Sequence, residues 1–239
     1  MNLWLRVFLP FAAGYYLSYL LRTVNAVIAP ELTRELTLTA ADLGLLTSAY
    51  LLAFAAFQIP LGLLLDRYGP RRVEAGLLLV AAAGTLLFAI GRSPFELTVA
   101  RGLIGLGVSS CLMAAFKGFA QNFPAERQAS LTGAIMASGG LGALTASLPL
   151  EFALPLLGWR GVFQGLTFLL LAVAALIFFS VPQREAGVSR DSLGAQLKDV
   201  GGILAHRVFW RFAPPMTLVT GGFLAVQGLW AVPWLMNVD

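Results

Sequence analysis

Long apolar stretches alternate with short polar segments along the chain, and the lengths of the apolar stretches predict membrane-spanning helices. A helix rises about 1.5 Å per residue, so roughly 20 apolar residues cross the hydrocarbon core of a bilayer. The stretches of about this length are Leu5 to Ala29, Leu43 to Leu65, Val73 to Ile90, Phe95 to Phe116, Leu131 to Leu150, Val162 to Val181 and Phe212 to Asn237. The pattern therefore predicts an all-α membrane protein.

The spacing of these stretches predicts the organisation of the chain. Residues 1–181 form a six-helix bundle, residues 182–211 form a polar cytoplasmic connector, and residues 212–239 hold a seventh helix. Within the connector, apolar residues recur at helical spacing from Ser192 to Leu204, which predicts an amphipathic helix on the membrane surface.

The composition supports a membrane protein and removes several classes of function. Hydrophobic residues make up 58% of the chain and charged residues only 12%, whereas a typical soluble domain is about 25% charged. A single cysteine, Cys111, and a single histidine, His206, cannot form a disulfide framework or a Cys/His metal cluster. HExxH and GxSxG motifs are also absent. We therefore expect neither enzymatic activity nor a metal or other cofactor.

Basic residues lie mostly in loops on one side of the predicted spans. Eleven Lys and Arg residues fall on the side of the N-terminus, and only Arg34, Arg92 and Arg160 fall on the other side. The positive-inside rule then places the N-terminus in the cytoplasm, and we expect the inner membrane of a bacterium. This topology accounts for the net charge of +4 without a nucleic acid partner. Lys117 is expected to anchor the cytoplasmic end of the fourth span.

Charge is concentrated in the short loop GLLLDRYGPRR at 62–72, between the second and third spans. Gly69 and Pro70 predict a tight turn, and Asp66 can accept hydrogen bonds from an arginine or from a helix N-terminus. The fifth span is followed by GWR at 158–160, with Glu151 before it. This similarity is faint, but it predicts two inverted three-helix repeats.

These loops carry a resemblance to a known family. The 62–72 segment, ARGLIGLG at 100–107, NFPAER at 122–127 and GWRGVF at 158–163 resemble, in this order, motifs of the major facilitator superfamily. The resemblance implies a secondary transporter with alternating access and twelve helices in two halves. It also implies a conformational motif made of Gly62, Asp66, Arg67, Gly69, Arg71 and Arg72. The chain ends at the seventh span, so we expect a missing C-terminal half or a second chain, which would also supply the partner of Asp66.

Two arginines within the predicted spans point to the substrate. Arg22 and Arg101 lie about 10 Å from the outer ends of the first and fourth spans, in one layer. Acidic residues, including Glu74, are expected only near the ends of the first six spans. Buried cations without internal carboxylates favour an anionic substrate, which the planar guanidinium can bind through two hydrogen bonds. The alternatives are that Arg22 snorkels or pairs with an absent carboxylate, and that Arg101 is structural or couples to protons.

The segment YYLSYLLRTVNAVIAPEL at 15–32 resembles the first helix of the organic-anion and organophosphate branch of the same superfamily. The resemblance implies that Tyr15, Tyr19 and Asn25 surround a substrate-binding Arg22, and Gln58 can join them. Tyr15, Tyr19 and Arg22 share one helix face by their spacing. The expected function is transport of a carboxylate or phosphate ester by symport or antiport. A proton-coupled exporter of drugs or metabolites and a membrane assembly subunit without transport activity remain alternatives.

Overall fold

The computed structural model describes residues 3–183 and 201–225, and all regular secondary structure in these two ranges is helical. The chain divides into two compact units, Met1–Ser189 and Arg190–Asp239. The division falls inside the predicted polar connector. The prediction of an all-α protein is therefore confirmed for the described residues.

The first unit contains seven α-helices within its described range: α1 Leu9–Leu36, α2 Ala40–Ala56, α3 Gln58–Ile90, α4 Pro94–Val108, α5 Cys111–Asn122, α6 Gln128–Thr145 and α7 Leu148–Ser180. A π-helical turn, Trp4–Phe8, precedes α1, and a 3₁₀ turn, Ala125–Arg127, precedes α6. In the second unit, residues 201–205 are helical and α8 spans Arg207–Ala225. The remainder of the predicted amphipathic and seventh helices lies outside the described residues.

Several helix boundaries differ from the predicted spans. α1 continues past the predicted end at Ala29 to Leu36, so Arg22 lies deeper in its helix than the sequence indicated. α8 begins at Arg207 rather than at Phe212. The second predicted span comprises α2 and the first part of α3, and the fourth comprises α4 and α5. Hydrophobicity does not mark these breaks, because the apolar pattern continues through them.

Two of the breaks have the same physical cause. Helical geometry is interrupted at Phe57, between α2 and α3, and at Ala146, between α6 and α7. Pro60 and Pro149 each follow three residues later. A proline ring clashes with the carbonyl four residues before it and offers no N–H. The preceding turn therefore cannot form all of its helical hydrogen bonds.

The two repeats turn at equivalent glycines. Gly69 inside α3 and Gly158 inside α7 have φ angles of 78° and 65°, a region that glycine adopts without steric cost. Their offset, 158 minus 69, is 89 residues. Each glycine therefore reverses the chain between two predicted spans that α3 or α7 joins.

Contacts near these turns follow the same offset. The Arg71 guanidinium lies 4.9 Å from the ring centre of Phe178, and Arg160 donates a hydrogen bond of 3.3 Å to the Ala89 carbonyl. Residues 71 and 160, like residues 89 and 178, are 89 positions apart. The structure thus repeats one arrangement at opposite ends of the bundle, as expected for inverted repeats of three helices.

Glycines let two pairs of helices approach until their backbones touch. A Cβ atom at Gly105 of α4 would overlap the Tyr50 carbonyl of α2, and one at Gly142 of α6 would overlap the Tyr16 carbonyl of α1. Small residues commonly provide such close packing between membrane helices. These contacts fix α2 on α4 and α1 on α6.

Three helical segments among the described residues are long and apolar enough to cross a membrane: Gln58–Ile90, Pro94–Asn122 and Pro149–Ser180. Ala40–Ala56 is apolar but shorter. α1 is not in this group, and it carries the polar residues that the sequence assigned to the substrate site.

Replacing Gly105 by alanine is expected to destabilise the bundle by about 1–3 kcal/mol, because the new methyl group meets a backbone oxygen that cannot rotate away. Thermal unfolding of the purified protein in detergent measures the loss. Gly102→Ala is the matched control on the same helix, since nothing described lies within 4 Å of its Cβ position. Equal melting temperatures for the two variants would contradict the close α2–α4 contact.

Candidate functional site

A cavity of about 290 Å³ opens where the broken helices meet α1, and we call it the Arg22 cavity. It lies beside the break between α2 and α3 and the break between α4 and α5. Its lining residues are Tyr15, Ser18, Tyr19, Arg22, Phe54, Gln58, Val108, Ser109, Leu112 and Met113. The cavity thus combines one cation, several hydrogen-bonding groups and apolar side chains, as small-molecule sites commonly do.

Arg22 provides the charge of this cavity. Its guanidinium carbon lies 5.0 Å from the ring centre of Tyr19 and 5.1 Å from that of Phe54. These rings hold the cation by its attraction to their π faces. The Arg22 Nε has no hydrogen-bond partner within the described structure. The ion pairs found in that part of the chain, Lys117–Asp66 and Arg160–Glu35, do not involve Arg22.

Tyr15 and Tyr19 lie on the same face of α1 as Arg22, in agreement with their spacing. Their rings meet edge to face at a centroid distance of 5.0 Å. Tyr15 is buried, and its hydroxyl donates to the Met136 sulfur at 3.6 Å. Helix α1 therefore presents the two phenols and the guanidinium to one wall of the cavity.

Gln58 joins the two helix breaks that border the cavity. Its side-chain nitrogen donates to the Phe54 carbonyl at 3.3 Å and to the Ser109 carbonyl at 3.4 Å. Ser109 itself donates from its hydroxyl to the Leu106 carbonyl at 2.7 Å. Side-chain hydrogen bonds of this kind compete with the helical ladder and explain the interruption at Ser109.

Two residues that the sequence assigned to the substrate site do not line the cavity. Arg101 is 1% exposed, donates to the Leu21 carbonyl at 2.9 Å and lies 4.6 Å from the ring centre of Tyr50. Asn25 is buried and donates to the Thr47 hydroxyl at 3.4 Å. Arg101 lies at the same depth as Arg22, because its hydrogen-bond partner Leu21 directly precedes Arg22 in the chain. Both hydrogen bonds attach α1 to a neighbouring helix outside the cavity.

A second cavity of about 390 Å³ adjoins the first, and we call it the Asp66 cavity. Its walls are formed by Gln58, Leu61, Gly62, Leu65, Asp66, Met113 and Lys117. Gln58 and Met113 line both cavities. The pair of cavities therefore extends from Arg22 toward the end of the bundle that the sequence predicts to be cytoplasmic.

Asp66 has a partner among the described residues. The Lys117 ammonium group donates to the Asp66 carboxylate across the second cavity. Lys117 was expected to anchor at the membrane interface, but the structure places it in this ion pair. Its side chain is 26% exposed, and that of Asp66 is 59% exposed. The pair links α3 to α5.

The other residues of the 62–72 motif are distributed around this turn. Gly69 makes the turn, and the Arg71 guanidinium packs on the ring described above. Arg67 lies 5.6 Å from the ring centre of its neighbour Tyr68, and Arg72 is exposed. No described atom lies within 4 Å of a Cβ position at Gly62.

Glu74 follows the Gly69 turn by five residues, near the start of the third predicted span, and its side chain is buried. It belongs to α3 and is 0% exposed. Neither carboxyl oxygen has a hydrogen-bond partner within the described residues. The sequence placed Glu74 close to the 62–72 loop, but helix packing buries its side chain completely.

Sequence reasoning missed several residues of the cavity wall. Ser109 had a signal, because it forms a serine pair with Ser110 in the middle of an apolar span. Phe54, Leu112 and Met113 had none, since the same residue types also face lipid. Ser18 lies on the α1 face of Tyr15 and Arg22, so its spacing could have identified it.

Comparison with known proteins finds similar proteins in one family. The family described as Major Facilitator Superfamily matches residues 11–238. The hexuronate transporter of Escherichia coli strain K12 is 28% identical over 221 residues, which cover 86% of this chain and 51% of the relative. A probable sulfoacetate transporter of Cupriavidus necator is 28% identical over 182 residues, covering 75% and 42%. The galacturonate transporter of Dickeya chrysanthemi is 26% identical over 224 residues, covering 86% and 64%.

These alignments also define the extent of the chain. It spans about half the length of the first of these relatives, and between 42% and 64% of all three.

If the two cavities are filled with water, a cysteine at Met113 should react rapidly with a charged, membrane-impermeant methanethiosulfonate reagent. Met113 is 46% exposed and lines both cavities, whereas Cys111 is buried and should stay unmodified. We expect Met113→Cys to react at least about tenfold faster than Leu79→Cys, because thiolates form in water and not in lipid. Leu79 is 52% exposed but lines neither cavity. Mass spectrometry after timed labelling measures both rates, and equal rates would show that the cavities are dry.

Proposed function

The chain belongs to the Major Facilitator Superfamily, and from this premise we propose that it acts in the secondary transport of small organic anions by alternating access. The proposed substrates carry a carboxylate or a phosphate ester. Arg22 is the central binding residue, and Tyr15, Tyr19 and Gln58 complete the wall around it. Arg101 and Asn25 contribute by positioning α1.

The observation that carries this proposal is the unneutralised charge of Arg22. A cation in a partly closed, low-dielectric cavity is costly unless an anion or several carbonyls meet it. The Nε atoms of Arg22 and Arg101 both lack a hydrogen-bond partner within the described range, but a terminal nitrogen of Arg101 donates to the Leu21 carbonyl, whereas Arg22 lines the cavity and takes part in neither of the ion pairs found there. An anionic substrate can supply the missing charge through two parallel hydrogen bonds to the guanidinium.

The relatives support the same class of substrate. Hexuronate and galacturonate are sugar acids with one carboxylate, and sulfoacetate carries a carboxylate and a sulfonate. Phenol and amide groups beside Arg22 suit the hydroxyl groups of a sugar acid, because they can donate and accept hydrogen bonds. We therefore rank hexuronates first among the candidates.

Transporters of this type bind their substrates between two halves near the midplane of the bilayer. The described cavities provide one wall of such a site. We propose that a second six-helix half, supplied by further chain or by a second molecule, forms the opposite wall. The three relatives named above are bacterial, which supports the inner membrane, and the distribution of basic residues supports an N-terminus in the cytoplasm.

We assign the 62–72 motif to the change of state rather than to substrate binding. The Asp66–Lys117 pair closes one side of the second cavity and is exposed enough to exchange partners. An exposed ion pair contributes only about 0–1 kcal/mol, so it can break during each cycle at low cost. Gly62, Arg67, Gly69, Arg71 and Arg72 hold the loop in which this exchange takes place.

Uptake of radiolabelled D-galacturonate and D-glucuronate into proteoliposomes tests the proposal. We expect Arg22→Ala to reduce uptake at least tenfold, because charge-assisted hydrogen bonds contribute about 1.5–3 kcal/mol. Arg22→Lys should retain part of the activity, since it keeps the charge but loses the planar fork. The protein should be expressed from the complete reading frame that contains this chain.

Arg34→Ala is the matched control, because Arg34 is an exposed arginine on the same helix. Unchanged uptake in Arg22→Ala, with reduced uptake in the control, would contradict the anion site. Export of uncharged drugs without hexuronate uptake would favour the alternative of a drug or metabolite exporter. Uptake by the 239-residue chain alone would show that a second copy supplies the opposite wall.

A further inference from the structure

The Gln58 side chain leaves its amide oxygen, and not its amide nitrogen, available to a ligand. The nitrogen carries both N–H groups and donates to the carbonyls of Phe54 and Ser109 at 3.3 and 3.4 Å. If the amide were turned over, its oxygen would face two carbonyl oxygens, so these contacts determine its orientation. Gln58 is partly exposed and lines both cavities. Its oxygen is therefore an acceptor at the boundary between them.

Two hydroxyl groups of the Arg22 cavity use their hydrogens within the protein as well. The Tyr15 hydroxyl donates to the Met136 sulfur at 3.6 Å, and the Ser109 hydroxyl donates to the Leu106 carbonyl at 2.7 Å. A hydroxyl group has one hydrogen, so each oxygen can still accept a hydrogen bond from a ligand but cannot donate one to it. Both residues line the cavity. With Gln58, three polar residues of the wall thus retain acceptors, whereas their donors are engaged.

Arg22 has the opposite hydrogen-bonding character. A guanidinium group has five N–H donors and no acceptor, and Arg22 takes part in neither ion pair found in the described part of the chain. Arg22 belongs to α1, whereas Gln58 begins α3 and Ser109 directly follows α4. The cavity of about 290 Å³ therefore has a charged donor on α1 and acceptors at the two helix breaks.

This division of donors and acceptors limits which anions fit. A carboxylate accepts hydrogen bonds and suits Arg22, but a second anionic group would bring another acceptor to the Gln58 oxygen, with no hydrogen between the two. A hydroxyl group can donate to that oxygen. An acceptor that a ligand covers without offering a donor loses its hydration and gains nothing in return. The ligand that fits thus combines one acidic group with hydroxyl groups.

We propose that Gln58 is a specificity-determining residue that accepts a hydrogen bond from a substrate hydroxyl group, so that the site selects hydroxylated monocarboxylates over dianions. The carboxylate of the substrate lies at Arg22, and its hydroxyl groups face the two helix breaks, where Ser109 supplies a further acceptor. This inference rests on the proposed anion site. It separates sugar acids from sulfoacetate, which has two acidic groups and no hydroxyl group.

Binding of D-galacturonate analogues to the protein made from its complete reading frame tests the inference. In each analogue, one ring hydroxyl group is replaced by fluorine, which is similar in size but cannot donate a hydrogen bond. We expect the Kd of at least one analogue to be about tenfold higher than that of D-galacturonate, because an oxygen of the wall is left without a donor. The Kd of sulfoacetate should also be about tenfold higher.

Gln58→Met separates recognition of the substrate from the bridge between the helix breaks. Methionine has no amide oxygen, so the ratio of the two Kd values, analogue over D-galacturonate, should fall from about tenfold to about one. A purely structural role of Gln58 would weaken the binding of both ligands equally. The ratio would then stay unchanged, because it compares two ligands on one variant.

Gln128→Met is the matched control. The Gln128 side-chain nitrogen also donates to two carbonyls, those of Phe119 and Phe123 at 3.1 and 3.2 Å, but the residue lines neither cavity. This variant should therefore retain the ratio of the wild type. Gln58→Lys decides if Gln58→Met does not fold, because an ammonium group can donate to both carbonyls but has no acceptor. Its ratio should also fall to about one.

The outcomes that would overturn the inference can be told apart from failure of the anion site. Equal Kd values for D-galacturonate and every fluorinated analogue, or tighter binding of sulfoacetate, leave the anion site intact and reject selection for hydroxyl groups. An unchanged ratio in the Gln58 variants rejects Gln58 as the acceptor. Lack of binding by galacturonate, glucuronate and sulfoacetate rejects the anion site itself, and this inference with it.

Discussion

A backbone carbonyl that loses its helical partner inside a membrane must find another donor, because lipid offers none. This constraint explains where the helices of the first unit are interrupted. The breaks at Phe57 and Ser109 lie side by side at the Arg22 cavity, and Gln58 donates to carbonyls on both sides of the junction. Proline and serine open the helices, and one amide side chain compensates for the lost bonds. The same interruptions make room for a ligand.

The two buried arginines show how the surroundings divide roles between identical side chains. Both lie near Tyr50, but Arg101 bonds a backbone carbonyl and is enclosed, whereas Arg22 rests on two aromatic rings and borders the cavity. The first arrangement bonds the cation to the backbone of α1 through one terminal nitrogen. The second leaves hydrogen-bonding capacity for something that arrives from outside.

The sequence predicted the helical class and the repeat well, because both depend on local properties. The length of an apolar stretch indicates a membrane span. The turns at Gly69 and Gly158 depend on residues within a few positions of each glycine. It also placed Tyr15, Tyr19 and Arg22 on one face, since helical periodicity alone determines this. The helix breaks were not predicted, because proline within an apolar run does not by itself show whether the helix kinks or ends.

Contacts between distant helices were beyond what the sequence could predict. Arg101 and Arg22 looked equivalent along the chain, and only packing shows that one of them turns toward the Leu21 carbonyl. Asp66 met Lys117, 51 positions away, although a local pattern suggested an external partner. Glu74 is the clearest case, because its position near the start of a span does not show that its side chain is buried. Its burial depends on Gly14, a residue whose missing side chain admits the carboxyl group.

The internal repeat gives a way to separate architecture from function in this fold. Positions where the two repeats agree, such as Arg71 and Arg160, serve the frame, because each ties a turn to the far end of another helix. Positions where they differ in charge are free of that constraint. Glu74 faces the core where its counterpart is Phe163, and Arg22 lines a cavity where its counterpart is Cys111. In these two pairs the charged member belongs to the first repeat, whereas Arg101, whose counterpart is Ala12, is a charged residue of the second repeat.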